Sequence, residues 1–200
     1  MEADGTAKVC FLILPALGVP ASFYDRLLKA LVKAGYPAGA IDFQGQGKSS
    51  VVASRCNNFG YHELLTQDIP SAITAVSSLF NCNVLMLGHS LGGQLGSLYC
   101  GTADSRIAGL ILCTCCSVYY KSWQGRERWR VLLMSQFARV YAKAAGYFPG
   151  KKFNFGDRTA QRLIDDWGYQ ALTGRYKITN SSQIGKQAYT TLLFQCWHYI

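Results

Sequence analysis

Asn83-Val84-Leu85-Met86-Leu87-Gly88-His89-Ser90-Leu91-Gly92-Gly93-Gln94 is the stretch on which the fold turns. Its first five residues form an apolar run of strand length. Its last residues open a helical pattern that reaches about Tyr99, and a G-x-S-x-G bend joins the two. The pentapeptide is weak alone, since the chain's 20 glycines would produce roughly 0.15 such matches at random. The strand before it and the helix after it supply the weight. A serine on so tight a turn sits in strained backbone, and glycine at 88 and 92 removes side chains that would collide with the packed strand and helix.

Working outward, three more apolar runs read as strands: Val9 to Leu14, Ala38 to Phe43 and Ile107 to Cys113. Helical patterns alternate with them, the signature of a mostly parallel sheet with crossover helices. Leu27, Leu28, Leu31 and Val32 recur at helical spacing between about Ser22 and Ala34, which predicts a helix covering one sheet face. Asp68-Ile69-Pro70 reads as a helix start, with aspartate as cap and proline in the first turn, running to about Phe80. Loops after the strands then place Leu17, Ser90 and Ser117 along one sheet edge, where open α/β sheets bind ligands.

From Tyr119 the alternation stops. Residues 126–145 and 159–172 read as helices joined by an aromatic and glycine-rich stretch, Phe148 to Gly156, and the whole reads as a cap laid over the sheet edge. The expected organisation is therefore a core over 1–118, a helical cap over 119–180 and an atypical tail over 181–200. Charge changes at the same boundary: residues 1–118 hold seven Lys/Arg and seven Asp/Glu, whereas 119–200 hold thirteen and four. This basic excess suits an anionic substrate or peripheral contact with a membrane surface, or it is a solvated helical face. The interleaving of arginines with apolar residues favours the solvated face. Nucleic-acid binding has no motif behind it.

The acidic start, Met1 to Gly5, and the breaks at Pro15, Gly18 and Pro20 argue against a leader peptide. No run approaches the ~20 apolar residues that a membrane span needs. The 8 cysteines show no paired metal-ligand spacing and are expected as buried free thiols in a cytoplasmic protein without metal or cofactor.

Three motifs occur in order: Leu14 to Ser22, Asp42-Phe43-Gln44-Gly45-Gln46-Gly47-Lys48-Ser49-Ser50, and Gly88-His89-Ser90-Leu91-Gly92-Gly93-Gln94. With Gly146 to Lys151, Asp166-Trp167 and Thr173 to Tyr176, they resemble the α/β-hydrolase superfamily, within it the hydrolases near serine aminopeptidase and monoacylglycerol lipase. The resemblance implies Ser90 as nucleophile, supported by Gly88, His89 and Gly92, with the amides of Leu17 and Leu91 forming the oxyanion hole. It also implies acyl transfer on a small-molecule ester or other hydrophobic acyl substrate, and Trp123, Trp129, Phe148 and Phe155 either contact such a substrate or form the cap core. Gln44 and Gln46 depart from the pattern, in which arginine and histidine often stand at those places.

A larger departure lies at the end. The resemblance implies a triad acid and then a histidine after Ser90, but residues 177–200 are too short for two further strand-helix units. The chain thus reads as C-terminally truncated, with an exposed sheet edge, poor solubility and no triad acid or base identified. His198 is the remaining candidate base, since His89 should point away from Ser90 and His62 matches no catalytic position; Asp157, Asp165 and Asp166 all fall in the cap. The competing function is an impaired member that binds a ligand or partner without turnover. The oligomeric state is open.

Overall fold

A computed structural model describes residues 9–153 and 155–178. Strands β1 (Val9–Leu14), β2 (Ala38–Ala40), β3 (Asn83–His89) and β4 (Ile107–Cys113) form one sheet in the order β2-β1-β3-β4. All three pairings are parallel, with Leu14 opposite Gly88 and His89 opposite Cys113. The carboxyl ends of β1, β3 and β4 therefore finish side by side.

Alternation along β1 sends Cys10, Leu12 and Leu14 to one face and Ile13 to the other. The first face is the larger core. There Val84 and Met86 of β3 meet Ile69 and Ile73 of α3 (Ile69–Phe80) and Leu91, Leu95 and Leu98 of α4 (Leu91–Cys100). The second face is thinner: Ile13 and Leu87 pack against Tyr24 and, at the margin, Leu28 of α1 (Asp25–Lys33). No residue of α1 is fully buried, so the predicted cover over this face is partial, and Val32 points largely to solvent.

Two sequence expectations need correction. Strand β2 ends at Ala40 rather than Phe43, because residues 41–47 leave the sheet and turn around Asp42, whose carboxylate accepts Ala21 N–H (2.6 Å) and Lys48 N–H (2.9 Å). Asp68 is not a helix cap. It has helical backbone itself, inside a π-helical turn (Leu64–Asp68) that follows a short α2 (Tyr61–Glu63), and its carboxylate accepts both the N–H of Gln44 and its side-chain amide, each at 2.8 Å. Pairing with a distant loop outcompetes local capping here.

Beyond β4 comes a helical cap. Helix α5 (Gly125–Ala145) and α6 (Gln161–Thr173) pack together, joined by a small antiparallel hairpin of β5 (Tyr147–Pro149) and β6 (Arg158–Ala160) that the sequence did not announce. Phe148 stacks on Phe153 and meets Phe155 edge-on beneath α5. The cap is bolted to the core: Asp166 accepts the N–H of Tyr61 (2.9 Å), Tyr61 donates its hydroxyl to Gln170 (3.1 Å), and Arg162 pairs with Glu63 (3.0 Å). Among the described residues β4 has no partner on its outer side, and Leu112 is 54% exposed. His198 and the tail from 181 lie outside the described residues.

Candidate active site at the nucleophile bend

Ser90 occupies the single residue between β3 and α4, at φ 51° and ψ −115°. Few non-glycine residues enter positive φ without a compensating reason, and this ψ lies outside the ordinary left-handed basin. Several bonds hold it there. The Ser90 N–H donates to Cys113 O (3.0 Å), and the Ser90 carbonyl accepts from Gly93 and Gln94 N–H (both 3.1 Å). A Cβ on Gly92 would strike the carbonyl oxygens of Leu14 and Pro15, and one on Gly88 would strike the backbone of Gly93. The absent side chains let α4 begin directly against the loop after β1.

That helix start leaves its first amides, Leu91 among them, without intrahelical acceptors and with the positive end of the helix dipole behind them. Leu17 sits in the facing loop and packs against both the sheet core and the cap cluster. The loop is fastened at two points. With the buried Gln46 carboxamide oriented to satisfy its partners, Gly18 N–H donates to its oxygen (2.8 Å) and its nitrogen donates to Val19 O (3.3 Å), an assignment drawn from the bond pattern. Gly18, at φ 74°, also lies against Gly156 of the cap hairpin, with Asp157 N–H donating to Gly18 O (3.2 Å). The small residue at 18 thus admits the cap, rather than only leaving space near a reacting oxygen.

The third fastening was missed from sequence. Tyr24 accepts the N–H of Ala16 (3.0 Å), and its hydroxyl is 2.8 Å from Nδ1 of His89. Burial raises the phenol's pKa above the tyrosine range and keeps it protonated. The phenol and Nδ1 of His89 share this hydrogen bond, with donor and acceptor set by the ring's tautomer. Only the aromatic residue near a helix start hinted at this in the sequence, and that signal is common.

Other polar residues near the site are committed elsewhere. His89 turns toward Tyr24, whereas His62, in α2, has its Nδ1 buried without a hydrogen-bond partner among the described residues. In the cap Asp165 pairs with Arg139 (2.8 Å), Asp157 with Lys151 (2.8 Å) and Asp166 with Tyr61 N–H. Ser117, in the loop after β4, accepts Tyr119 N–H on its hydroxyl (3.1 Å). Cys115 lies under the bend, its thiol against Gly88 O (3.2 Å). The seven described cysteines are free, and of these only Cys10 is fully buried; Cys56, Cys100, Cys113 and Cys116 are exposed. Apolar neighbours in sequence did not bury Cys113 because its strand has no partner on its outer side among the described residues. Among the described residues no cluster of His, Cys, Asp or Glu suits a metal, and no helix is long and apolar enough to cross a membrane.

A parallel sheet with a serine on the strand-to-helix bend after its third strand, opposite a glycine-bearing loop and under a helical cap, defines the α/β-hydrolase class. The profile of the serine aminopeptidase (S33) hydrolases matches residues 5–165, and the chain belongs to that family. No curated protein matches it. Among solved structures it is similar to a monoacylglycerol lipase of Paleococcus ferrophilus, at 19% identity and TM-score 0.53, over 82% of this chain and 66% of that one. It is also similar to a soluble variant of monoglyceride lipase from Saccharomyces cerevisiae, at 16% and 0.55, over 82% and 59%. A thermostable carboxyl esterase of Bacillus coagulans gives 19% and 0.51, over 68% and 43%. At these identities the likeness is one of fold, and the chain spans 66% or less of each relative's length.

Proposed function

We propose that this chain carries the nucleophile half of a serine hydrolase acting on small-molecule esters or other hydrophobic acyl compounds. The observation that carries the reading is the Ser90 backbone, held at φ 51° between β3 and α4. Strain of this kind presents a hydroxyl at a sheet edge, and three separate fastenings around Leu17 and His89 keep the opposing loop in register with it.

In this mechanism Ser90 Oγ attacks the substrate carbonyl, and the N–H groups of Leu17 and Leu91 receive the developing oxyanion. Each such donor lowers the barrier by ~3 kcal/mol. The tetrahedral intermediate expels the alcohol, which leaves with the proton given up by Ser90 Oγ, and water then attacks the acyl carbonyl, releasing the acid and returning a proton to Ser90. Residues 119–180 act as the cap that bounds the substrate, over a core of 1–118. The lipase and esterase names of the structural neighbours support the ester class. The free cysteines support a reducing, cytoplasmic setting.

A second reading is a member that binds acyl ligands without turnover. It draws on His89, whose Nδ1 is committed to Tyr24, because a serine hydroxyl without a base is a poor nucleophile. Incubation of the 200-residue chain with a fluorophosphonate probe separates the two. Labelling that disappears in Ser90→Ala establishes the hydrolase, whereas an unlabelled but folded protein that still binds a fluorescent fatty ester establishes the ligand-binding reading and removes the first.

A further inference from the structure

Helix α5 is built inside out. Its inward line consists of Ser135, Ala138 and Ala142, all buried, and these short side chains let α6 come so close that a Cβ on Gly168 would strike the stem of Arg139. Its other side carries Trp129, Leu133, Met134, Phe137 and Val140, with exposures from 46% at Phe137 to 71% at Val140; Phe137 also packs against Phe153, and Met134 borders the cap aromatics. At 3.6 residues per turn these five fall within an arc of about 140°. A helix of a water-soluble domain ordinarily turns its large apolar side chains inward, and a continuous outward patch marks a contact surface.

Charge says what the surface meets. Arg126 and Arg130 lie within the same arc and Lys143 borders it, all exposed, while Glu127 at the rim is engaged by Arg130 at 2.7 Å. The interleaving of arginine and apolar residues, which in the sequence suits a solvated face over an apolar interior, is in the structure a mixed basic and apolar face turned outward. We propose that α5 is a membrane-surface helix, lying flat on an anionic bilayer with its five large apolar side chains at the headgroup boundary and Arg126, Arg130 and Lys143 against lipid phosphates and carboxylates. Basic amphipathic helices bind such surfaces by adding apolar burial to charge attraction, and tryptophan favours the interface. A second copy of the chain is a poorer occupant, because it would bring the same cations together: residues 119–200 hold thirteen Lys/Arg against four Asp/Glu. The inference does not depend on Ser90 being a nucleophile.

The test uses the full chain as its Ser90→Ala variant, so that any chemistry is removed from the readout. Sedimentation with vesicles of phosphatidylcholine containing about 30% phosphatidylserine should recover the protein at least roughly ten-fold more efficiently than vesicles of phosphatidylcholine alone, and salt should erode the difference. Leu133→Glu with Val140→Glu should lower partitioning by roughly ten-fold or more while the circular dichroism spectrum stays that of the parent. Replacing Arg126, Arg130 and Lys143 with glutamine should abolish the anionic preference, each cation contributing roughly five-fold. Fluorescence quenching by brominated lipid should fall in Trp129→Phe. Equal binding by the double glutamate variant would overturn the proposal, as would indifference to lipid charge. So would a dimer that dissolves in the double glutamate variant while the parent ignores vesicles, since the face would then be a self-contact.

Discussion

The Tyr24 hydroxyl stands 2.8 Å from Nδ1 of His89 and simultaneously accepts the N–H of Ala16 at 3.0 Å, so one phenol ties the loop after β1 to the residue preceding Ser90. The loop and the bend belong to different strands, and this bridge and the Gly92 contact bring them together. Tyr24→Phe keeps the ring packing against Ile13 and Leu87 but strands a buried amide and a ring nitrogen. Leaving such groups unpaired costs roughly 1–3 kcal/mol. The expected outcome is a loss of that size in urea unfolding together with fluorophosphonate labelling about ten-fold slower, as a displaced oxyanion donor would cause. If Tyr24→Phe labels at the parent rate, the bridge does not position the site.

The second prediction concerns the close approach of α4 to β1. In Gly92→Ala the new methyl would lie on the carbonyl oxygens of Leu14, the last residue of a central strand, and Pro15, the first of the loop after it, so backbone would have to move. Overpacking of this kind typically costs about 1–3 kcal/mol, and more where backbone must move. We expect Gly92→Ala to lower the urea midpoint strongly and to abolish probe labelling. Gly35→Ala is the comparison: it carries the cost of a positive φ with nothing near the added methyl, whereas Gly92 is helical and carries the clash. A cost in Gly92→Ala no greater than in Gly35→Ala would show that the contact with β1 weighs no more than backbone strain alone.

How much of this was legible in the sequence follows from where the determining contacts lie. The limits of β1 and β4 and the break between β3 and α4 were readable because each is set by local pattern: an apolar run, then glycine, then helical spacing. The role of Asp68 was not, because its partner Gln44 lies 24 positions away and a local capping pattern looks the same whether or not it is used. The β5–β6 hairpin escaped because its strands are only three residues long and its register is set by Phe148 packing under α5 rather than by alternation. Burial of Cys113 was misjudged because apolar neighbours along the chain predict burial only where another layer covers the element, and β4 is uncovered on its outer side among the described residues. The outward face of α5 was invisible for the complementary reason. Periodicity shows that a helix has two faces, but which one the protein covers depends on the partner, and here the close approach of Gly168 selected the small-residue side.

A pH dependence follows from Asp166. Burial, reinforced by the neighbouring Asp165 and opposed by the hydrogen bond from Tyr61 N–H, raises its pKa to about 6. A carboxyl whose folded pKa exceeds its unfolded value binds its proton more tightly in the native state. Its contribution to stability is therefore fully present below the unfolded pKa and declines as pH rises through about 6. The unfavourable linkage by neutral pH amounts to roughly 3 kcal/mol. Asp166→Asn keeps an oxygen for Tyr61 N–H and removes the ionisation. It should be more stable than the parent at pH 7.5 and nearly equal at pH 4.5, by parallel urea titrations at about those two values. A variant destabilised at the higher pH would mean that the carboxylate charge is needed to hold α6 on α2.

The last prediction rests on β4. Its outer backbone edge has no strand against it among the described residues, and Ile111 and Leu112 are substantially exposed. Such an edge offers unpaired amides and carbonyls together with apolar side chains, which is the template for edge-to-edge association. The two residues differ in their usefulness as a test. Leu112 lies beside Gly93 at the Ser90 bend, so altering it would confound solubility with the site. Ile111 pairs in register with Leu87 and turns to the thinner face, away from α4. Ile111→Lys places a charge where a pairing strand would have to bury it, while its stem still covers Leu87. The expected result is a several-fold higher concentration before light scattering rises, with the urea midpoint changed by less than about 1 kcal/mol equivalent. Unchanged scattering would locate the association elsewhere, and a parent already monodisperse at high concentration would show that the open edge is harmless in this chain.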